Sequence, residues 1–227
     1  MRIGINGFGR IGRNFTKAVL ERQPQIEIAA INDLMGPQEC AHLLKYDSNY
    51  GIYEGDVTAE DGAITIDGRR ILVLAERDPA KLPWKDLGVE VVVESTGLFT
   101  DAAKALYLTI PQVEGSFDGF ALRVPTPTVS LIYLVAQTKK ATTKEELNAI
   151  LRGASQGELS RYVAYTEEEL VSSDFKKNPY SSIIDSKLTN ANGDLVQIAA
   201  WYDNEWGYSC RLAELTAMIL EKIPATI

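Results

Sequence analysis

Arg2-Ile3-Gly4-Ile5-Asn6 runs directly into Gly7-Phe8-Gly9-Arg10-Ile11-Gly12, and the reading of these eleven residues decides the fold. The first five place a β-branched residue at every second position, which suits a strand buried in a sheet. The next six have the spacing G-x-G-x-x-G. Ile11, Phe15, Ala18 and Val19 then recur at helical intervals, so a helix starts inside the glycine run and continues to about Arg22. In a strand, turn and helix of this order, Gly7 permits the tight turn and Gly9 lets the backbone approach a pyrophosphate. Gly12 lets the helix pack closely on the strand. Free N–H groups and the dipole at the helix start would hold the phosphates.

Working outward, a second apolar run over residues 26–32 ends in Asp33, 21 residues beyond Gly12. An acidic residue at about that distance, at the end of the second strand, is where adenosine ribose hydroxyls are bound. A glycine turn alone usually serves only as a turn. Its coincidence with a strand, a helix and Asp33 makes a dinucleotide-binding βαβ unit the reading. Asp33 also favours NAD over NADP, because a carboxylate would repel a 2′-phosphate.

Composition sets the limits. The chain has 227 residues, enough for one large domain or two modest ones, with 45% hydrophobic and 24% charged residues as in ordinary soluble proteins. A net charge of −8 argues against a sequence-independent nucleic-acid surface, which needs a basic face. No apolar run reaches membrane length and Met1 leads straight into a strand, so a cytoplasmic protein without membrane contact is expected. Cys40 and Cys210 are too few and too distant to suggest a disulfide framework or a metal site, and are read as small buried apolar residues. The single histidine, His42, lies in a short helical stretch and is read as packed or capping. No nucleophile and base pair of the Cys/His kind is evident.

Further along, residues 56–66 alternate well enough for one strand, and Asp67-Gly68 signals a hairpin into a strand over residues 70–74. Arg77 follows that strand and either lies against the adenine or is a solvated surface arginine. Residues 89–94 are a dense β-branched run, expected to be a strand buried on both faces. It ends in Ser95-Thr96-Gly97, and strand ends in open α/β sheets are where cofactors bind, so Thr96 and Gly97 are candidates to border the dinucleotide. Thr100-Asp101 offers an N-cap for a helix over 102–105.

The second half changes character. Strands are expected over 117–124, 130–136, 181–188 and 195–202, an amphipathic helix starting with a Thr142 and Glu145 capping box, and a last helix over 210–223. Strands outnumber helices, which points to an α+β region with an antiparallel sheet.

Five segments together name a family. They are Asn6-Gly7-Phe8-Gly9-Arg10-Ile11-Gly12-Arg13, Lys45-Tyr46-Asp47-Ser48, Glu94-Ser95-Thr96-Gly97, Leu122-Arg123-Val124-Pro125-Thr126-Pro127 and Trp201-Tyr202-Asp203-Asn204-Glu205-Trp206-Gly207-Tyr208. With them the chain resembles phosphorylating glyceraldehyde-3-phosphate dehydrogenase, an NAD-dependent oxidoreductase of glycolysis. That family oxidises an aldehyde through a cysteine thiohemiacetal, passes hydride to NAD and releases the acyl group to inorganic phosphate. The resemblance implies a doubly wound, Rossmann-type NAD-binding domain and an α+β catalytic domain. It assigns cofactor contacts to Gly7, Gly9, Arg10, Ile11, Gly12, Asp33, Arg77, Thr96 and Gly97. Asn204 matches the residue that holds the nicotinamide amide, Tyr208 the aromatic beside that ring, and Arg123 an arginine of the phosphate-binding region.

The family's Ser-Cys-Thr-Thr-Asn nucleophile segment and its catalytic-histidine strand have no match here. The chain passes from Ala102-Ala103-Lys104-Ala105 straight to Leu106-Tyr107-Leu108, which in the family lies well into the second domain. The resemblance therefore implies an internal deletion between two short Ala-Ala-Lys-Ala-like repeats, arising in the gene, by engineering or during sequence assembly. The expected organisation is a truncated NAD-binding domain over 1–105, a remnant of the catalytic domain over 106–206, and a C-terminal helix over 207–227 returning to the first domain. The expected activity is NAD binding without catalysis and without a catalytic residue. Two alternatives stand beside it: an interaction or structural protein, and an active parent enzyme whose sequence is incomplete here. Binding of glyceraldehyde 3-phosphate and phosphate, and the family's homotetramer, do not carry over automatically.

Overall fold

The fold is described from a computed structural model, which describes residues 1–97, 110 and 119–223. Its first layer is a six-stranded sheet. β1 (Arg2–Asn6) leads through α1 (Arg10–Arg22) to β2 (Glu27–Asn32), which lies parallel beside it, Asn6 level with Asn32. Ile3 and Ile5 of β1 are fully buried, as the alternation demands. After α2 (Pro37–Lys45) and a two-rung ladder of β3 (Tyr46–Asp47) and β4 (Gly51–Ile52) come β5 (Val57–Glu60), β6 (Ala63–Ile66) and β7 (Arg69–Leu74). β8 (Val91–Glu94) completes the order β5-β6-β7-β2-β1-β8. β7, β2, β1 and β8 are parallel, so this part is of Rossmann type, while β5 and β6 add an antiparallel meander at one edge.

Two sequence expectations are corrected here. Residues 56–66 form two strands, because Asp61 and Gly62 turn the chain back and Gly62 takes a positive φ of 69°. The Asp67-Gly68 hairpin is present between β6 and β7, both turn residues at positive φ. β8 is also not buried on both faces: Val93 is buried but Val92 is 39% exposed. Among the described residues β8 pairs with β1 alone, so it is an edge strand with one open side.

The second sheet is built on β13 (Leu195–Tyr202). β9 (Ser130–Gln137) pairs with it antiparallel through eight matched residues, and β11 (Ser182–Asp185) and β12 (Asn190–Asn192) share its other edge. β10 (Val163–Thr166) pairs with β11 in parallel, so the sheet is mixed where an antiparallel one is expected from sequence. β9 is apolar yet half-exposed, with Ile132 at 54% and Tyr133 at 56%. α3 (Lys144–Gln156) lies against β10 and β12. Its cap is shifted by one residue from the sequence reading. Thr143 Oγ1 accepts from the Glu146 N–H and Glu146 Oε2 accepts from the Thr143 N–H, leaving Thr142 just outside. Replacing Thr143 with alanine removes one half of this box, and a loss of about 1 kcal/mol in urea unfolding is expected. The same change at Thr142 is expected to cost less than half as much.

Residues 119–124 are irregular and exposed, Phe120 by 88% and Leu122 by 79%, which corrects the strand expected over 117–124. Alternation alone cannot make a strand where no neighbouring backbone takes up its N–H and C=O groups. Residues 117–118, the helix expected over 102–105 and the Leu106-Tyr107-Leu108 run lie outside the described residues.

The last element, α4 (Trp206–Lys222), starts four residues earlier than the apolar pattern suggests. Gly207 conceals the start in sequence, and the structure shows its purpose: a Cβ there would come within 2.9 Å of the Tyr180 carbonyl oxygen. α4 packs against α1, and Trp206, Cys210, Ala213, Ala217 and Leu220 share one core with Ile3, Ile5, Phe15, Val19 and Ile31. A small separate core of Val129, Phe175 and Ile183 sits under the second sheet, with Phe175 stacked on Trp201 at 5.3 Å.

Candidate dinucleotide site

The site forms at the C-terminal ends of β1, β2 and β8, where the turn after β1 meets the turn after β8. Gly7 takes φ +97°, and a Cβ on it would come within 2.6 Å of the Ser95 carbonyl carbon and the Thr96 nitrogen. A Cβ on Gly12 would overlap the Gly7 carbonyl oxygen. At Gly9 nothing lies within 4 Å. Two of the three glycines thus serve close backbone packing, and the third faces open space. α1 begins at Arg10 after Gly9 as N-cap, with no side-chain cap and no acidic residue in its first turn. Its leading N–H groups are therefore left for an anion. A bare cradle, uncapped amides and an open face at Gly9 fit a dinucleotide diphosphate.

Polar residues at the strand ends hold this cradle. Asn32 Nδ2 donates to Asn6 Oδ1 at 2.8 Å, and Asn6 Nδ2 donates to Glu94 Oε2 at 2.7 Å. The Gly7 N–H reaches the Asn32 carbonyl at 2.8 Å, and Ser95 Oγ donates to the Gly7 carbonyl at 2.6 Å. Burial opposes the charge on Glu94, but hydrogen bonds from Thr96 and Asn6 outweigh it and hold its carboxyl below the usual carboxylate range. Sequence reading passed over Asn6, Asn32, Glu94 and Ser95 as site-builders. The available signal was that Asn6 and Asn32 end two otherwise apolar strands of a parallel pair.

Asp33 lies next to the turn: its Oδ2 accepts from the Phe8 N–H at 2.6 Å and its Oδ1 from the Met35 N–H at 3.1 Å. A carboxylate has about four acceptor positions, so these bonds orient it and leave room for two hydroxyls. Thr96 and Gly97 are exposed at the end of β8. Arg77 is exposed just beyond Glu76, whose backbone N–H is held by Asn32 Oδ1 at 2.9 Å. Ile11 is half-buried in the first turn of α1. Arg123 lies in the irregular 119–124 run, exposed, and among the described residues no hydrogen bond or ion pair ties it to the glycine turn.

The Arg10 side chain turns toward the second half of the chain. Its Nε donates to both Glu205 carboxylate oxygens at 3.0 Å, its Nη2 pairs with Glu205 Oε2, and its Nη1 reaches Asp47 Oδ1 at 2.8 Å. Hydrogen bonding to Glu205 is the main reason its guanidinium is held still more firmly protonated than usual. Asp47 is almost wholly buried; burial resists its charge, yet the bonds from Arg10 and the Asn49 and Tyr50 amides keep its carboxyl below the ordinary value. Tyr50 donates its hydroxyl to Asp203 Oδ1 at 2.7 Å, and burial with that bond pushes its phenol well above the normal range. Asp203 also accepts the Glu205 and Trp206 N–H groups at 3.0 and 2.9 Å, tying down the start of α4. Asn204 is exposed and receives a 3.3 Å hydrogen bond from Ser130 Oγ of β9. Tyr208, one turn on, is 55% exposed. Glu205 is a residue that sequence reading missed.

Cys40 and Cys210 are fully buried free thiols, and burial pushes each up to about 11. His42 lies on α2 with its ring 4.9 Å from that of Tyr46. Among the described residues no group of three or more His, Cys, Asp or Glu side chains is arranged to hold a metal, and no helix is long and apolar enough to cross a membrane.

A parallel sheet with a glycine turn feeding an uncapped helix, and an acidic residue at the next strand end, defines a dinucleotide-binding α/β protein. Residues 1–102 match the NAD-binding domain of glyceraldehyde 3-phosphate dehydrogenase and residues 92–204 match its C-terminal domain. The chain is 33% identical to glyceraldehyde-3-phosphate dehydrogenase 2 of Streptomyces avermitilis, over an alignment covering 96% of this chain and 98% of the relative. It is 34% identical to the Borreliella burgdorferi enzyme, covering 97% and 100%, and 32% identical to the Geobacillus stearothermophilus enzyme, covering 98% and 99%. The chain belongs to the glyceraldehyde-3-phosphate dehydrogenase family, and NAD is its cofactor.

Proposed function

We propose that this chain is a NAD-binding, catalytically inactive deletion form of glyceraldehyde-3-phosphate dehydrogenase. The observation that carries the reading is the contrast between an intact cradle at Gly7, Gly9 and Gly12 and the state of the two thiols. Forming a thiohemiacetal needs an accessible thiolate, and a buried thiol at about 11 supplies almost none at neutral pH. His42, the one histidine in the sequence, packs its ring beside that of Tyr46.

Alignment length supports the deletion. The Streptomyces avermitilis relative aligns over 329 positions, whereas this chain has 227 residues, so roughly a hundred positions of the relative have no counterpart. The two family-domain matches overlap over residues 92–102, just before the Ala102–Ala105 tetrapeptide at which the sequence motifs suggest the join. On this reading residues 1–105 are a truncated NAD domain, 106–206 a remnant of the catalytic domain, and 207–227 a C-terminal segment whose helix, Trp206–Lys222, packs back on the first. Gly7, Gly9, Arg10, Ile11 and Gly12 bind the diphosphate, and Asp33 the adenosine ribose. Arg77, Thr96 and Gly97 border the adenosine half, Asn204 holds the nicotinamide amide and Tyr208 flanks that ring. Arg123, apart from the cradle, retains at most a weak role toward glyceraldehyde 3-phosphate or inorganic phosphate. Membership of the family supports a cytoplasmic location, and the β8 and β9 edges, each paired on one side only among the described residues, are a reason not to carry over an unaltered homotetramer.

Thermal unfolding with and without NAD tests the reading. At a hundred times the dissociation constant, NAD is expected to stabilise the chain by about 2.7 kcal/mol. A transition indifferent to millimolar NAD would overturn it.

A further inference from the structure

Glu205 stands one residue from Asn204, yet it makes its bonds to the glycine turn. Arg10 and Asn14, both on α1, donate to its carboxylate, the latter at 3.5 Å, while Asp203 on its other side fixes its backbone N–H. Ser130 holds the Asn204 side chain from the second sheet. Asn204 therefore sits on a short bridge: the diphosphate-binding end of α1 anchors one side and β9 the other. An exposed asparagine without such anchors would sample several rotamers and bind an amide poorly, because ordering it would cost part of the binding energy.

We propose that Glu205, clamped by Arg10, is a positioning residue that presets Asn204 for the carboxamide of the dinucleotide, with Ser130 as the second anchor. This rests on the assignment of the dinucleotide site above. Glu205 and Ser130 need not touch the cofactor, and their effect is selective. They matter for a ligand that carries the amide and little for one that ends at the second ribose. The Arg10 guanidinium thereby joins the two halves of the site, since the same residue whose backbone N–H opens α1 determines where residue 204 lies.

Isothermal titration of the full chain with NAD and with ADP-ribose tests this. In the unaltered chain, both ligands bind. In Glu205→Gln, NAD is expected to weaken about tenfold, the scale of one hydrogen bond to a charged partner, while ADP-ribose stays within about twofold. Adding Glu205→Gln to Asn204→Ala is expected to weaken NAD no further, because both act through one amide contact. Equal weakening of both ligands, no weakening of NAD, or additive losses in the double variant would overturn the proposal. Should Glu205→Gln fail to fold, Ser130→Ala decides by the same split: selective loss of NAD supports the clamp and its absence overturns it. An unaltered chain that binds neither ligand refutes the dinucleotide assignment itself, a result distinct from binding of both without selectivity in the variants.

Discussion

Replacing Gly12 with alanine is expected to damage the fold, whereas the same change at Gly9 is expected to leave the fold nearly intact and remove NAD binding. The methyl group at residue 12 would overlap the backbone carbonyl of Gly7 and come within 3.2 Å of Ser95 Oγ. Backbone cannot rotate out of the way as a side chain can, so α1 must lift from β1 and loosen the packing of Phe15 and Val19. Overpacking of this kind costs about 3 kcal/mol, which for a chain of this size lowers the melting temperature by roughly 6–12 °C. At residue 9 the methyl group meets nothing in the protein, and the φ of −70° suits alanine. The fold then loses about 1 kcal/mol or less, the difference between a good and a poor N-cap. The diphosphate meets that methyl instead. Holding it off the first amides of α1 forfeits charge-assisted hydrogen bonds at about 1.5–3 kcal/mol each, so a loss of affinity of about a hundredfold or more is expected. Differential scanning fluorimetry and titration calorimetry on the two variants read both effects. Equal melting temperatures, or unimpaired NAD binding by Gly9→Ala, would contradict the assignment of roles within the motif.

The purified chain, supplied with NAD, glyceraldehyde 3-phosphate and inorganic phosphate, is expected to form no NADH above background. Removing the nucleophile from an enzyme that works through a covalent intermediate commonly costs about 10⁶ in turnover. Neither buried thiol replaces it: Cys210 faces the core between α4 and α1, and Cys40 the core under α2. Their alanine variants are accordingly expected to behave like the unaltered chain in this assay. Absorbance at the nicotinamide band, followed against a full-length relative at equal concentration, makes the comparison. NADH formation by the 227-residue chain at even a thousandth of the relative's rate, and its loss in Cys40→Ala or Cys210→Ala, would overturn the claim of inactivity and identify the thiol responsible.

The first βαβ unit was legible because each signal in it is local. A two-residue alternation in β1, a glycine spacing and a helical period in α1 each operate within a dozen residues, and all agree. The errors fall where the outcome depends on a distant partner or on a neighbouring turn residue. Asp61-Gly62 sits between two short alternating runs, Val57-Thr58-Ala59-Glu60 and Ile64-Thr65-Ile66, each strand-like by itself, so two strands read as one. Residues 119–124 carry a strand-like pattern but pair with no strand among the described residues. β8 has the composition of a strand covered on both sides, yet Val92 is exposed and, among the described residues, β1 alone accompanies the strand. In the site, the glycines and Asp33 announced themselves through spacing. Glu205 could not, because its meaning comes from Arg10, which is 195 positions away in sequence and within hydrogen-bond distance in space.

The shared core of α1 and α4 has a consequence for how the protein is made. Most chains can fold their N-terminal unit while the rest is still being synthesised. Here the apolar face of α1 waits for Trp206, Cys210, Ala213, Ala217 and Leu220, which emerge from the ribosome only after the whole second sheet. At about 5–20 residues per second the nascent nucleotide-binding half spends on the order of ten seconds or more with that face uncovered. Chaperone demand should therefore be set by the delay before α4 arrives, and a circular permutation that joins the termini and reopens the chain ahead of α4 would place it just before β1 and remove the delay.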